Sequence, residues 1–483
     1  MQKRRVLVVD LEAKGESQGL RMLSSIRQAG VFGELLLAGQ GFSVPDNAAG
    51  LVLLGGEGPD LPVVQACVRA QIPLLCFGGA SRLLVEALGG SVGETALQDK
   101  VRDVHFSDLG VFQGVEGGFR VVQKACYLSL PEGLRILAGL EGVVLAFDDG
   151  KGRVTGMQFL PESQDMDVSS IVNHFLFKVL GLEAGYSLEG YRRWSLDFLR
   201  GQAGQGEALC VLSGGVDSSV AACLAIEALG ERARCLLVDT GLLRSREADN
   251  VVELFTQRMG RPVHRVDARE ETYQALRGLR TTEQKRRAVE AVIDRHVRQA
   301  LEGMGEGASL IRGVHFQDVL GGQLPAGMGA ARSVEPLRPL LKEEVRHLAL
   351  LLGLPEELAF RRHYPAAGIA LRCMGEADAP KLEALRAADE ILQTAMADAG
   401  QRKHRMLYFA VLLDMPQTRE NEEGGYVVAL RAVQDAEQGH APVARLSFDL
   451  LERISEEILS KLPQVRRVVY DLNACPPGQV EWA

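Results

Sequence analysis

Short apolar runs separated by glycine-rich turns recur through the first third of the chain, at Val6 to Val9, Leu35 to Ala38, Leu51 to Gly55, Pro73 to Phe77 and Val143 to Phe147. Runs of that length fit buried strands, and the stretches Gln65 to Ala70 and Ser81 to Leu88 between them fit helices. The alternation predicts a mainly parallel α/β domain that ends near Ala184. A polar stretch, Glu189 to Gln205, leads to a second α/β pattern: strand Ala208 to Leu212, a glycine loop, helix Ser218 to Leu229 and strand Cys235 to Val238. Strand, loop and helix in that order begin a doubly wound nucleotide-binding fold. From Glu270 to Ala331 the chain is helical and charged, then glycine-rich at Gly321 to Gly327, a composition suited to a lid. A third segment starts near Glu357, with a helix at Ala379 to Ala399 and strands at Tyr426 to Val433 and Val465 to Tyr470. The expected domains are therefore 1–184, 190–356 and 357–483.

Composition agrees with this division. A single core rarely grows past about 250–300 residues, and the chain has 483, of which 46% are apolar and 24% charged. That balance belongs to a globular protein with sizeable cores. The net charge of −9 argues against nucleic-acid or anionic-membrane partners, because both need clustered Lys and Arg, although a local basic pocket stays compatible with it. No stretch reaches the roughly 20 apolar residues of a membrane span, and the first apolar run is too short for a signal peptide. The expected location is the cytoplasm. Eight cysteines without a CxxC pair signal neither a zinc knuckle nor a disulfide framework and read mostly as buried thiols.

The chemistry concentrates in Ser213-Gly214-Gly215-Val216-Asp217-Ser218-Ser219. A buried strand that delivers this run to a helix N-terminus gathers backbone N–H groups and the positive end of the helix dipole around one point, which suits an anion. The glycines allow close approach of phosphate, and Ser213, Ser218 and Ser219 can donate hydroxyl hydrogen bonds. No Gly-Lys-Ser/Thr follows, so this is not a Walker A loop, and the neutralising cation must come from elsewhere. Asp217 is either a metal or water contact near the phosphates or a first-turn carboxylate favoured by the dipole.

At this loop the chain resembles the GMP synthetase family of N-type ATP pyrophosphatases. Supporting stretches are Val238-Asp239-Thr240-Gly241-Leu242-Leu243-Arg244, Val334 to Arg338, Lys342 to Arg346, Leu430 to Val433 and Arg467 to Asp471. The resemblance implies a class I glutamine amidotransferase-like domain, a doubly wound ATP pyrophosphatase domain and a small α+β C-terminal domain that dimerises and completes a nucleotide-substrate site. It implies ATP and Mg2+ as cofactors, the magnesium ligands remaining unassigned. In the family ATP adenylates an oxygen of xanthosine monophosphate and ammonia then displaces AMP. Carried onto this chain, phosphate binding falls on Ser213 to Ser219 and adenosine contacts on Val238 and Asp239, with Gly313 also at the nucleotide. Lys342 becomes a pyrophosphate contact, or else a solvated lysine early in a helix. Asp318, in His315-Phe316-Gln317-Asp318, stands where the family has an active-site Tyr-Pro-Asp element, or else caps a loop.

Departures from the family pattern matter as much. A class I amidotransferase needs a thiolate on a strand-to-helix elbow and a histidine oriented by glutamate, yet Gly78 occupies the nucleophile position and Leu160 the histidine position, with Glu162 retained. Cys76 is two residues early, about 6–7 Å short of the elbow. The glutaminase is expected to be dead. The substrate site is altered at Cys475-Pro476-Pro477, at Ala483, at Arg419 to Gly424, at Pro365-Ala366-Ala367-Gly368 and in the Gly322 to Ser333 stretch. Losing two or three phosphate contacts could weaken nucleotide binding roughly 10³-fold. Three readings follow: ATP-dependent amination of a nucleotide-like substrate by free ammonia, another amine, or ammonia from a separate protein; ATP-dependent sulfur transfer using Cys475 and Cys373; or a nucleotide-binding scaffold without catalysis.

Overall fold

The computed structural model describes residues 5–11, 18–37, 42–104, 106–113, 119–159, 168–305, 307–320, 332–360, 368–401, 406–415, 425–434 and 441–475. The chain divides into two compact units, Met1–Tyr191 and Arg192–Ala483.

In the first unit the apolar runs become strands. In order come β1 (Arg5–Asp10), α1 (Gln18–Gln28), β2 (Gly33–Leu37), β3 (Ala48–Leu54), α2 (Leu61–Arg69), β4 (Leu74–Phe77) and α3 (Gly79–Ala87). After these come β5 (Ser91–Val104), β6 (Phe119–Ser129), β7 (Arg135–Leu140), β8 (Val143–Asp148), β9 (Val154–Met157) and α4 (Val168–His174). Seven strands form one sheet in the order β2-β1-β3-β4-β9-β8-β7. Its β2 to β9 portion is parallel, whereas β8 and β7 are antiparallel. Leu7, Val9, Leu51, Leu53, Cys76, Leu84 and Phe147 share one core. Strands β5 and β6 make a separate antiparallel pair, and the buried Gln158 ties it to the main sheet. The Gln158 Oε1 accepts from the Cys126 N–H at 2.9 Å, while its Nε2 donates to the Cys126 and Val144 carbonyls at 2.8 and 2.6 Å.

The polar stretch at Glu189 to Gln205 is a helix, α5 (Leu188–Ala203). Tyr191, Ser195, Leu199 and Ala203 are buried at four-residue intervals along it. That stripe is narrow and includes a serine, which hides its helical period among charged neighbours.

The second unit continues with β10 (Ala208–Leu212), α6 (Val216–Leu229), β11 (Ala233–Asp239), α7 (Glu247–Glu253), β12 (Val263–Asp267), α8 (Arg269–Leu276) and α9 (Thr282–Gly303). Next are β13 (Ser309–Ile311), α10 (Phe316–Leu320), β14 (Arg332–Val334), α11 (Lys342–Leu351) and α12 (Glu356–Ala359). The chain then adds α13 (Ala379–Asp398), β15 (Met406–Met415), β16 (Gly425–Gln434), α14 (Phe448–Lys461) and β17 (Val465–Asp471). Five parallel strands run in the order β12-β11-β10-β13-β14. The order reverses at β10, so a crevice opens beyond its carboxyl end. The remaining strands form a smaller sheet, β15-β16-β17. Leu242, Leu276 and Val289 lie in the same core as Leu382, Met396 and Leu430, so the two sheets belong to one compact unit. Among the described residues no helix is long and apolar enough to cross a membrane.

Candidate functional site

Strand β10 is buried along Ala208, Leu209, Cys210 and Leu212, and α6 packs its apolar residues Val220 to Ala225 beside the sheet. Between them Ser213 to Gly215 must turn within three residues. Gly214 makes the turn with φ +81, a backbone state that costs glycine little. Gly215 is the N-cap of α6, so the first N–H groups of the helix, from Val216 on, have no acceptor within it and face the turn. The serine hydroxyls bond inside the loop: Ser218 Oγ accepts from the Ser213 N–H at 3.1 Å and lies 3.0 Å from Ser213 Oγ. Ser218 Oγ and Ser219 Oγ also donate to the Gly215 carbonyl at 3.1 and 2.9 Å. These hydroxyls hold the loop's shape and take up the Ser213 and Gly215 N–H groups, so the donors a ligand would meet are the N–H groups that open α6.

Two distant segments close on this loop. A Cβ at Gly313, just past β13, would come within 2.5 Å of the Asp217 carbonyl carbon and 2.6 Å of the Ser218 nitrogen. Only glycine allows that approach. From the start of α11, the Lys342 ammonium donates to both Asp217 carboxylate oxygens at 2.7 and 2.5 Å. Lys342 is itself held by its backbone N–H, which donates to Gln317 Oε1 at 3.0 Å. The cation absent from the loop sequence is thus supplied across 125 residues.

Val238 and Asp239 end β11 beside the loop's strand. The Asp239 carboxylate is buried and engaged: Oδ2 accepts from the Arg265 guanidinium at 2.5 and 3.2 Å, and Oδ1 from the Gly241 N–H at 3.0 Å. It fixes the turn after β11 and the neighbouring strand. Asp318 accepts from the His315 N–H at 3.0 Å. That is the capping arrangement at the start of α10, and the His315 ring lies 3.5 Å from the same oxygen.

A cavity of about 900 Å³ opens at the carboxyl ends of β11 and β12, lined among others by Arg244, Glu247, Arg265, Tyr273 and Arg386. Most of these residues escaped the sequence reading, because only the loop motif marked chemistry there. Glu247 is buried, its Oε2 accepts from the Arg244 N–H at 2.9 Å, and its Oε1 lies 2.7 Å from where a Gly214 Cβ would stand. A carboxylate three residues after a loop N–H was the available signal.

In the first unit, Gly78 joins β4 to α3 with φ 60 and ψ −127. The elbow geometry is present without a side chain. The Gly78 N–H donates to the Met157 and Phe159 carbonyls at 2.8 and 3.1 Å. Cys76 is fully buried in β4, and burial pushes its thiol well above the ordinary range. Cys373 is also buried, and its thiol is pushed up to about 11, chiefly by burial. Cys475 is half-buried. Leu160, Glu162, Gly321 to Gly327 with the rest of the lid stretch to Ala331, Pro365 to Ala367, Arg419 to Gly424, Pro476, Pro477 and Ala483 lie outside the described residues.

The chain is similar to known proteins along its whole length. The family description "GMP synthase C terminal domain" matches residues 394–482, and "NAD synthase" matches residues 196–412. A protein of Caldicellulosiruptor saccharolyticus named as a glutamine-hydrolysing GMP synthase is 32% identical, covering 100% of this chain and 100% of its own length. Proteins with the same name from Corynebacterium glutamicum and a Parafrankia species are 32% and 34% identical, covering 99% and 90% of this chain and 98% and 88% of their own.

Proposed function

Because the chain belongs to the GMP synthase family, we propose that it splits ATP to AMP and pyrophosphate at Ser213 to Ser219, activating an oxygen of a nucleotide-like substrate for replacement by nitrogen. The observation that carries this reading is the convergence of the Gly214 turn, Gly313 and Lys342 at the start of α6. Backbone N–H groups and the helix dipole there bind the phosphates. Lys342, now on Asp217, supplies positive charge to the departing pyrophosphate.

In the first step the substrate oxygen bonds to the α-phosphorus and the bond to pyrophosphate breaks. An amine then bonds to the carbon bearing that oxygen, loses a proton, and AMP leaves with the oxygen. Electrostatic complementarity to the leaving groups is the protein's main contribution. Magnesium accompanies ATP and prefers phosphate oxygens with one or two carboxylates. Asp217 would serve as such a donor once Lys342 turns from it to the pyrophosphate, and among the described residues no cluster of three or more His, Cys, Asp or Glu side chains forms a separate metal site.

The cavity bordered by Arg244, Glu247 and Arg386 is the candidate for the second substrate; its roughly 900 Å³ is within the size range of small-molecule sites. Gly78 at the elbow supports a chain without its own glutaminase, so that nitrogen comes from free ammonia, another amine or a separate protein. The buried Cys373, held as a neutral thiol, disfavours the sulfur-transfer reading. We place the protein in the cytoplasm as a homodimer through its C-terminal segment; sedimentation at micromolar concentration checks the dimer.

Incubating the pure chain with MgATP, ammonium and a panel containing xanthosine monophosphate should yield AMP and pyrophosphate with at least one substrate. Absence of both products across the panel, together with no measurable MgATP binding, would refute the enzymatic reading.

A further inference from the structure

A chain of buried polar contacts runs from the smaller sheet of the second unit to the phosphate loop. It begins at β15, where the Ala410 N–H donates to Asp389 Oδ1 at 3.1 Å. Asp389 lies on α13 and is 3% exposed. Its other oxygen pairs with Arg244 Nε at 3.5 Å. The backbone N–H of Arg244 donates to Glu247 Oε2 at 2.9 Å, and Glu247 Oε1 packs against Gly214 of the loop. One turn before Asp389, Arg386 donates through Nε to the Leu243 carbonyl at 3.3 Å and through its guanidinium to the Gly241 carbonyl. Helix α13 therefore grips residues 241–244 at both ends, and that segment holds the one carboxylate seen to back the left-handed glycine of the phosphate loop.

Burying two carboxylates is costly unless each is paired and hydrogen-bonded. Asp389 accepts from the Ala410 N–H and stands at ion-pair distance from Arg244, while Glu247 accepts from the Arg244 N–H, so the shape of the 241–244 segment depends on both carboxylates. The phosphate loop binds through backbone N–H groups, whose aim shifts with any rotation of the Gly214 peptide. Misplacement of a binding group by about 1 Å can cost on the order of 10²-fold.

We propose that Asp389 and Glu247 are positioning residues that act in series, making ATP affinity at the phosphate loop depend on the docking of α13. This rests on the ATP reading above. It adds that the C-terminal segment tunes the nucleotide site from behind, apart from any contact that segment makes with the second substrate.

The test is calorimetric titration of the full chain with MgATP. Asp389→Asn keeps an acceptor for Ala410 but removes the charge facing Arg244, and should weaken binding about tenfold. Glu247→Ala should weaken it at least as much, and Glu247→Gln, which still accepts from the Arg244 N–H, should restore most of the loss. The double variant Asp389→Asn/Glu247→Ala should bind no more weakly than the weaker-binding single variant. Leu301→Ala, which destabilises the same unit in a separate core cluster, should leave the MgATP Kd unchanged, separating positioning from general loosening. If Asp389→Asn fails to fold, Arg244→Gln removes the same pair from the other side. Wild-type affinity in the folded Asp389→Asn or Arg244→Gln chain, or losses that multiply in the double variant, would overturn the proposal. A wild-type chain that binds no MgATP would instead overturn the ATP reading on which it stands.

Discussion

In the proposed nucleotide site, the single residue most exposed to test is Lys342. Its ammonium bonds both Asp217 oxygens, and a hydrogen bond to a charged group contributes about 1.5–3 kcal/mol. Lys342→Ala should therefore lower MgATP-dependent pyrophosphate release by about tenfold to a hundredfold, and Lys342→Arg, which keeps the charge but not the compact ammonium, should recover only part of it. Gly313 gives a sharper prediction. A methyl group there would stand 2.5 Å from the Asp217 carbonyl carbon, so Gly313→Ala must push the start of α6 away from β13. The expected result is loss of MgATP binding in calorimetry, with secondary structure retained in far-UV circular dichroism. Asp318 behaves as a helix cap toward His315; its proposed place at the active site would require it to leave that bond.

At the scale of elements, the β4 to α3 elbow turns at Gly78, which has no side chain to offer. A Cβ at the next residue, Gly79, would meet the Gly56 carbonyl oxygen at 1.9 Å, so the loop beside the elbow packs closely enough to demand glycine. The chain should release no ammonia from glutamine, and Gly78→Cys should not restore release, because Leu160 offers no imidazole to activate the thiol. A coupled glutamate assay checks both; glutamate formed by the unmodified chain would overturn the inference. Elsewhere, α9 contributes the buried Lys285, whose ammonium donates to the Ala370 and Cys373 carbonyls at 3.3 and 2.5 Å. It satisfies carbonyls at the end of a short 3₁₀ turn, Gly368–Arg372, in place of a continuing helix.

For the whole molecule, buried thiols are expected to set the alkaline limit of stability. Burial pushes Cys67 and Cys223 up to about 12 and Cys373 up to about 11, and pushes Cys76 up as well, from an ordinary 9.0. With folded values above unfolded ones, the stabilising protonated state is fully present below pH 9 and its advantage is lost as pH rises toward 11 or 12. The loss is roughly 1.4 kcal/mol per thiol for each pH unit above that onset. Lys285 works the other way: burial lowers its value from 10.5, so its cost to the fold fades as pH rises through the same range. Four thiols outweigh one lysine. Urea midpoints of both units should fall between pH 9 and 11, and combined alanine substitutions at Cys67, Cys76, Cys223 and Cys373 should flatten that fall. An unchanged slope in the substituted chain would assign the alkaline loss to other groups.

Much of the architecture was legible in the sequence because its signals are local. Val6 to Val9, Ala208 to Leu212 and Ser213 to Ser219 each declare a strand or a strand-loop-helix turn within a few residues, and helix Ala379 to Asp398 was readable to within one residue. The helical stripe of α5 was not legible, since a serine and many charges interrupt it. Neither was the shared core that places the two sheets of the second unit in one compact body. The resemblance named Lys342 and Gly313, but only folding brings them onto Asp217, because that contact depends on parallel strands whose order does not follow the chain. Glu247, Arg265, Arg386 and Asp389 carry no motif of their own. Their roles arise from pairing across long separations, which local spacing does not encode. Residue order alone marks a strand, a glycine loop and a helix, and puts Gly78 at the elbow; which side chains surround that loop and hold its shape follows from contacts between distant residues that exist only in the folded chain.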